Sequence, residues 1–271
     1  MLTRQTLRGA TYASQSRQSG CFGDRRGQGI GQAIAESLAA NGARVVFSDI
    51  NQAQAEAAAA NHDGCLGLRL DVTDEGEVAD VIDQIVGAFG RLDIVVNNAG
   101  VNTLAHRVTI DEFPREEWDR LLDVDLNGLF LVSKAAAQVM RRQQSGTIIN
   151  VASVAGLVPL RLQCAFVAAK AAVVNLTRAM AIELGPFGVR TNAVAPGSIL
   201  TRGTEQLFYG EDGKFRESAE RLLSHVPLGR PGTTAEVAHG VLFLAAPESS
   251  YVNGHVLTID GGWTAGYTRD F

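Results

Sequence analysis

The stretch Thr147-Ile148-Ile149-Asn150-Val151, followed by Ser153 and then by a second stretch from Cys164 to Leu184, decides the fold. The β-branched residues of the first stretch predict a buried strand, so Ser153 follows its carboxyl end. The apolar spacing after Cys164 predicts a helix, on which Phe166 and Lys170 lie one turn apart on the same face. A serine and an ammonium group placed in this way could hold a substrate oxygen. Phe166, however, puts a phenyl ring where a proton donor would be expected.

Strand-like and helix-like segments alternate along nearly the whole sequence. The predicted strands cover residues 43–49, a segment ending at 70, and residues 92–96, 146–152, 189–194 and 256–260. The predicted helices cover residues 30–41, 52–61, 74–89, 116–142, 164–184 and 234–246. Such alternation is typical of βαβ units. It predicts an α/β fold, a single-domain Rossmann-type doubly wound parallel sheet, with one domain over residues 27–271.

Composition and charge argue against several function classes. The chain has 271 residues, 46% hydrophobic and 20% charged, which is ordinary for a soluble globular protein. Its net charge of −5 argues against nucleic-acid binding, which normally needs a basic patch. The three cysteines, Cys21, Cys65 and Cys164, have no CxxC spacing, so a reducing, cytoplasmic location is expected and a metal site is not. No apolar run approaches the roughly 18–20 residues of a membrane-spanning helix.

Two signals indicate a dinucleotide site at the carboxyl ends of the first strands. Gly27-Gln28-Gly29-Ile30-Gly31 opens the first predicted helix, where glycines let a pyrophosphate approach the helix N-terminus. Asp49 ends a strand, where a carboxylate can bind both ribose hydroxyls and repels a 2′-phosphate, which favours NAD over NADP. Taken singly, the glycines could form an ordinary turn and Asp49 could be a solvated acid. Together they favour cofactor binding.

Further motifs follow other predicted strands or lie on predicted helices. They are Asp71-Val72, Asn97-Asn98-Ala99-Gly100, Asp125-Leu126-Asn127-Gly128 and Pro196-Gly197-Ser198-Ile199-Leu200-Thr201. With these motifs the chain resembles the classical short-chain dehydrogenase/reductase family from Gly27 to about Gly262, nearly its whole length. The resemblance implies hydride transfer between NAD and a small molecule.

The resemblance also implies a role for each motif residue. Ser153 would polarise the substrate oxygen, Lys170 would bind the nicotinamide ribose, and Asn127 would support Lys170 through a water. In the family, the lysine also lowers the pKa of a tyrosine four residues before it, and that tyrosine transfers the proton. The implied cofactor contacts are Gln28, Gly29, Ile30, Gly31, Asp49, Asp71, Val72, Asn98, Ala99, Gly100, Lys170, Pro196, Gly197, Ile199 and Thr201.

Phe166 stands at the position of that tyrosine, with the family's spacing to Ser153 on one side and Lys170 on the other. A phenyl ring has no proton to transfer, and general acid–base catalysis typically contributes about 10²–10⁴-fold. The residue could be an engineered change, the mark of a natural non-catalytic member, or a sequence error. Because the other motif residues are intact, a recent or deliberate change is favoured, and we expect cofactor binding with little turnover.

Three loops, at residues 101–110, 157–164 and 203–227, are expected to form the substrate pocket. Their polar side chains favour a polyol or sugar, although they could simply face solvent: Asn102, His106, Arg161, Gln163 and Glu205. A 3-oxoacyl thioester is the alternative substrate, and a non-catalytic NAD-binding protein is the alternative function. The apolar helix faces around Leu129 and Val173 exceed the needs of one sheet face, and the resemblance implies a homotetramer or homodimer.

Residues 1–26 depart from the family pattern. Their first part is rich in Arg, Ser, Thr and Gln, as in a transit peptide or a disordered tail, and supplies no apolar first strand. Asp24, Arg25 and Arg26 stand where the family has Thr-Gly-Gly before the cofactor glycines. A first strand that is missing or degraded is therefore expected, together with weaker cofactor binding.

A frameshift would explain this departure. One permitted set of codons for Arg17 to Arg26, read one base later, encodes Gly-Lys-Ala-Ala-Ala-Ser-Val-Thr-Gly-Gly, as expected of a family member. A base lost near Gly27 would restore the frame seen downstream. We predict that residues 1–26 are a frame-shifted segment behind a misassigned start, with a genuine divergent tail as the alternative. Sequencing the gene around Gly27 tests this, and a reading frame without a single-base slip would contradict it.

Overall fold

The computed structural model describes residues 11–16, 29–103, 106–201, 204–210 and 215–266, with only the backbone described at 11–16 and 206–207. The strands are β1 (Thr11–Ser16), β2 (Arg44–Asp49), β3 (Leu66–Arg69), β4 (Ile94–Asn97), β5 (Gly146–Val151), β6 (Val189–Pro196), β7 (Ile199–Leu200), β8 (Gly232–Thr233) and β9 (Val256–Ile259). The helices are α1 (Ile30–Ala40), α2 (Gln52–Ala59), α3 (Glu75–Phe89), α4 (Arg115–Leu122), α5 (Leu129–Gln143), α6 (Cys164–Leu184), α7 (Glu205–Phe208), α8 (Glu217–Leu223) and α9 (Thr234–Ala245).

Seven parallel strands form the central sheet, in the order β3-β2-β1-β4-β5-β6-β9. The strand order reverses between β1 and β4, which is the point where doubly wound sheets bind their ligands. A separate short ladder joins β7 to β8. The predicted fold class, a single-domain doubly wound α/β sheet, is confirmed.

A strand lies in the first position of the sheet, so the expectation that it is missing is wrong for this structure, whereas its degradation in sequence stays a prediction. β1 lies between β2 and β4, with Thr11 opposite Arg44 and Tyr12 opposite Ile94. Its sequence is polar and shows no strand periodicity. The two neighbouring strands present backbone donors and acceptors that need partners, and this requirement outweighs the weak propensity of the β1 side chains.

Several predicted residues of the N-terminal region lie outside the described part of the chain. They include Gly27 and Gln28 of the glycine motif and the Asp24–Arg26 segment before it. The frameshift hypothesis concerns the gene, and it stays a prediction.

Alternate side chains of the central strands fill apolar layers on the two faces of the sheet. Val45 of β2 and Val96 of β4 belong to the layer built with α1 and α9. Val46, Val95 and Ile148 belong to the layer built with α3 and α5. A parallel sheet covered on both faces accounts for the continuous apolar runs seen in the sequence.

The predicted helix over residues 116–142 is interrupted in its middle. α4 ends at Leu122, a π-helical turn covers Asp123–Gly128, and α5 begins at Leu129. A π-helical turn fits an additional residue into the helix, and such turns are frequent at functional sites. This turn buries Asp125 and leaves Asn127 exposed.

α6 agrees with its predicted bounds at both ends. Within the described residues, α6 with the turn after it, Cys164–Phe187, is a helix long and apolar enough to cross a membrane by length and composition. This differs from the expectation that no apolar run is long enough, because Lys170 and Arg178 interrupt the run in sequence. Ala165, Ala169 and Val173 are fully buried against the rest of the fold. The helix therefore serves as a core helix here.

A buried hydrogen-bond network joins β4, β5, α5 and α6 just below the carboxyl ends of the strands. Asn97 Nδ2 donates to Asn150 Oδ1 and to Ser133 Oγ, each at 2.8 Å. Asn150 Nδ2 donates to Thr177 Oγ1 at 2.9 Å, and Thr177 Oγ1 donates to the Val173 carbonyl at 2.7 Å. Since buried hydrogen bonds favour one packing arrangement, this network holds α6 in place relative to β5.

Asn150→Leu is expected to lower the free energy of unfolding by about 2–4 kcal/mol, because it removes the buried hydrogen bonds of Asn150 to Asn97 and Thr177 and leaves an apolar side chain among the remaining polar groups. Thr177→Val is the comparison variant, since it keeps the volume, removes the bonds of the Thr177 hydroxyl to Asn150 and to the Val173 carbonyl, and is expected to cost about 1–2 kcal/mol. Urea unfolding of both variants measures the difference. A loss for Asn150→Leu no larger than that of the comparison variant would contradict the network's role.

Candidate active site

The predicted site residues gather at the carboxyl edge of the sheet. Asp49 ends β2, Asn97 ends β4, Pro196 ends β6, and Ser153 follows the end of β5. Parallel strands bring their carboxyl ends to one edge, and ligands of such sheets bind there.

Lys170 lies at the centre of this edge. Its side chain reaches from α6 to the end of β5, where Nζ donates to the Val151 carbonyl at 3.2 Å. The Lys170 side chain is only 7% exposed, so Nζ is nearly out of water. Nζ also lies 3.4 Å from Oδ2 of Asp125, within ion-pair distance. The lysine therefore has partners from two elements before any ligand binds.

Phe166 lies beside Lys170, as the helical spacing predicts. The centroid of its half-buried ring is 5.8 Å from Nζ. At this distance an ammonium group gains only a weak attraction from the ring. The ring provides no oxygen, so no group at this position can accept or donate a proton.

Ser153 caps the short turn Val154–Gly156 that follows β5. Its Oγ accepts a hydrogen bond from the Ala155 backbone at 3.1 Å, which leaves the hydroxyl hydrogen for a second partner. A Cβ on Gly156 would lie 2.5 Å from the backbone carbonyl oxygen of Lys170. The turn that carries Ser153 thus packs directly on α6 at the lysine.

The structure places the Asn127 side chain away from Lys170, which differs from the prediction that it supports the lysine. This side chain is exposed, and Nδ2 donates to Oδ1 of Asp123 at 2.8 Å, one turn earlier on the same surface. The residue of this motif that faces the lysine is Asp125, which is 1% exposed. Oδ1 of Asp125 accepts a hydrogen bond from the Val101 backbone at 2.6 Å.

Helical spacing contains the signal that identifies Asp125. Leu121, Asp125 and Leu129 are four residues apart, and both leucines are buried. An acid in register with two apolar residues belongs to the inner face of the helix. A charged group on such a face needs a partner, and Lys170 is the partner that the structure provides.

Burial raises the pKa of the Asp125 carboxyl, whereas the charge of Lys170 and the bond from Val101 oppose the rise. Oδ2 has no hydrogen-bond partner within the described residues, since 3.4 Å is long for a hydrogen bond.

The start of α1 and the end of β2 carry residues that fit a dinucleotide. α1 begins after Gly29 without any side-chain cap, and the N-terminus of a helix favours an anionic group such as a pyrophosphate. Gly29, Ile30 and Gly31 lie at this end. Asp49 is 3% exposed, and its Oδ1 accepts a hydrogen bond from the Asn51 backbone at 2.9 Å.

The motif after β4 leaves no room for a side chain at Gly100. A Cβ at Gly100 would lie 3.3 Å from Asp125 Oδ1 and 3.4 Å from Lys170 Nζ. Any side chain there would crowd the pair, which is why glycine suits this position. Of its neighbours, Ala99 packs against the apolar layer and Asn98 is half-buried at the same edge.

Asp71 and Val72 do not share one environment. Asp71 accepts from the backbone and hydroxyl of Thr73, in the turn after β3. Val72 is buried, and a Cβ added to Gly128 would lie only 2.5 Å from its Cγ2. Val72 thus packs under the π-helical turn, and Asp71 is the more accessible of the two.

The loop after β6 is fixed through its backbone. Pro196 is buried at the strand end, and Gly197 is pressed against Asp260, since a Cβ added to this glycine would lie only 2.8 Å from the Asp260 Cβ. The side chain of Ile199 is 6% exposed and belongs to the core. Thr201 donates its backbone N–H to Thr204 Oγ1 at 2.8 Å. Ile199 therefore offers its backbone, rather than its side chain, to a ligand.

Comparisons with known proteins agree on one family. A family model described as enoyl-(acyl carrier protein) reductase matches residues 23–264. The chain is 40% identical over 238 residues to a 3-oxoacyl-[acyl-carrier-protein] reductase of Thermotoga maritima, covering 86% of this chain and 93% of that protein. It is 39% identical over 243 residues to 2-(S)-hydroxypropyl-CoM dehydrogenase 3 of Xanthobacter autotrophicus, covering 88% and 94%.

A solved structure supports the same assignment. The crystal structure of a gluconate 5-dehydrogenase from Burkholderia cenocepacia, in complex with NADP and tartrate, matches with a TM-score of 0.85 at 30% identity. The match covers 98% of this chain and 99% of that one. Since the family match spans most of the chain and the sheet has the order of a dinucleotide-binding fold, the chain belongs to the short-chain dehydrogenase/reductase family of oxidoreductases.

Proposed function

We propose that the protein is a NAD-dependent oxidoreductase that interconverts a secondary alcohol of polyol or sugar type and a ketone, and that Phe166 impairs it. The observation that carries the proposal is the arrangement at β5 and α6. Ser153 sits on a turn packed against the backbone of Lys170, and the Phe166 ring lies beside the lysine ammonium.

In the oxidation direction, the alcohol carbon would lose a hydride to the nicotinamide ring and the alcohol oxygen would lose a proton, yielding a ketone. Ser153 would donate its hydroxyl hydrogen to the substrate oxygen. Lys170 would use the ammonium hydrogen not engaged by its protein partners to bind a ribose hydroxyl. The proton would need an acceptor at position 166, and a phenyl ring supplies none.

The relatives support the coarse substrate class. Their names specify a 3-oxoacyl group, a 2-hydroxypropyl group and position 5 of gluconate. Each of these is a ketone or an alcohol on a secondary carbon. A 3-oxoacyl thioester therefore stays the alternative substrate for this chain.

The loop side chains support a polar substrate at one position in particular. Asn102, His106 and Arg161 are exposed. Gln163 is instead 6% exposed, just before α6, and follows Leu162, whose φ of 64° is in the left-handed region. A leucine seldom adopts that conformation, and such strain is common at functional sites. Gln163 is thus the loop residue that best supports a hydroxylated substrate.

Asp49 supports NAD as the cofactor. It is a buried carboxylate at the strand end where the adenosine ribose binds in this fold, and a 2′-phosphate there would meet its charge. The gluconate 5-dehydrogenase structure holds NADP, so relatives differ in this choice.

A cofactor-binding protein without catalysis is the second candidate function. Phe166 favours it, since Lys170 and the start of α1 are in place while position 166 offers no group for proton transfer.

The proposal extends to assembly and location. Leu129 and Val173 are buried within the subunit, whereas Phe130 on α5 and Ile182 on α6 are 50% and 79% exposed. These two apolar side chains support a homotetramer or homodimer formed through α5 and α6. The cysteines support a cytoplasmic location, since Cys65 and Cys164 are free thiols.

Phe166→Tyr is expected to raise kcat by up to about 10²–10⁴-fold, because it restores a group that can transfer the proton. NAD-linked turnover would be screened with polyols, sugar acids and 3-oxoacyl thioesters. NADH affinity, measured by fluorescence titration, should change little. Phe243→Tyr, on an exposed face of α9, is the matched control and should leave kcat unchanged. Equal rates for the parent chain and Phe166→Tyr would overturn the proposed impairment.

The parent chain is expected to bind NADH at least about tenfold more tightly than NADPH. The reason is that repulsion between the Asp49 carboxylate and the 2′-phosphate of NADPH should weaken binding by more than about 1.4 kcal/mol. Asp49→Asn removes the charge and should narrow this ratio. Asp63→Asn, which removes an exposed charge nearby, should not. Fluorescence titrations with both cofactors test the assignment, and tighter NADPH binding by the parent chain would contradict it.

A further inference from the structure

Two oppositely charged side chains are buried side by side next to residue 166. The Asp125 side chain is inaccessible to solvent and that of Lys170 is 7% exposed, with 3.4 Å between Oδ2 and Nζ. Lys170 Nζ is also 5.8 Å from the centre of the Phe166 ring. Any group on that ring therefore experiences the field of the whole pair.

The net charge of the pair decides how strongly it acts on residue 166. A lone ammonium within about 4–6 Å lowers the pKa of an acidic neighbour by roughly 1–3 pH units. A carboxylate 3.4 Å from Nζ cancels much of that field. The cancellation holds while Asp125 is ionised, because its negative charge then offsets the positive charge of the lysine.

We propose that Asp125 is a positioning residue that holds Nζ against the end of β5 and neutralises Lys170, so that residue 166 faces an uncharged pair. The inference rests on the proposed function, because it concerns the proton-transfer position of that site. A tyrosine restored at position 166 would then be a weaker acid than one beside an uncompensated lysine.

The other groups around Asp125 do not replace Lys170 as the cation that offsets its charge. Oδ1 is held by the Val101 backbone N–H at 2.6 Å, which orients the carboxyl toward α6. Arg120 of α4 also acts on Asp125, but its guanidinium is bound by Glu117 through bonds of 2.7 and 2.8 Å. Lys170 is thus the cation whose charge Asp125 offsets most directly.

The test compares three purified proteins: Phe166→Tyr, Phe166→Tyr with Asp125→Asn, and Phe166→Tyr with Asp123→Asn. Asp123 is the matched control, an exposed carboxylate two residues away that binds Asn127. The near-ultraviolet phenolate absorbance of each protein, minus that of its counterpart with Phe166, gives the pKa of the introduced phenol without cofactor or substrate. Asp125→Asn should lower this pKa by about one pH unit or more, and Asp123→Asn should leave it in place.

The pH dependence of kcat should shift together with the pKa of the introduced phenol. In the double variant with Asp125→Asn, the rise of kcat with pH should move to lower pH by the same amount. Near neutral pH, kcat should then exceed that of Phe166→Tyr by about tenfold. A merely structural role for Asp125 would lower kcat without moving the profile. An unchanged pKa of the introduced phenol on Asp125→Asn would overturn the inference.

The design separates this inference from the proposed function. If no substrate is turned over by any variant, the proposed function fails, while the phenolate titration still decides the role of Asp125. If Asp125→Asn does not fold, Asp125→Ser removes the charge with a smaller polar side chain. It should lower the pKa of the phenol at position 166 in the same direction, and an unchanged value there would also overturn the inference.

Discussion

The buried ammonium of Lys170 is the group on which the site depends. A cation that is nearly removed from water must find charge and hydrogen-bond partners inside the protein. Val151 supplies a carbonyl at the end of β5, and Asp125 supplies a carboxylate from the π-helical turn. Gly100 supplies space, since any side chain there would meet both members of the pair. The glycine after β4, the π-helical turn and the end of β5 thus each contribute to accommodating one buried lysine.

The parts of this arrangement that follow from periodicity were predictable. β5 and α6 agree closely with their predicted bounds, because a β-branched run and a long apolar helix each bury a full face. The alternation of strands and helices predicted the parallel sheet, and the sheet places Ser153 and Lys170 at its carboxyl edge. Phe166 beside Lys170 followed from helical spacing alone.

The departures from prediction share a physical cause, which is that neighbours decide the outcome. β1 forms with a polar sequence because β2 and β4 need a partner between them. Asn127 was predicted at the site because an amide in its motif matched an expected role. A pattern search with a 3.6-residue period does not detect the π-helical turn that exposes Asn127. Asp125 is instead spaced four residues from the buried Leu121 and Leu129, and this spacing places it on the inner face of the helix. Contacts such as that between Val72 and Gly128 arise from tertiary packing, so no local sequence pattern predicts them.

The pair of Asp125 and Phe166 bears on how the unusual ring arose. A sequence error at position 166 would be independent of the charge on a residue 41 positions earlier. The structure instead shows a ring that needs no activation beside a lysine whose charge is already offset. A ring without a hydroxyl therefore suits a position beside an offset charge, because it has no proton whose release the charge of Lys170 would assist.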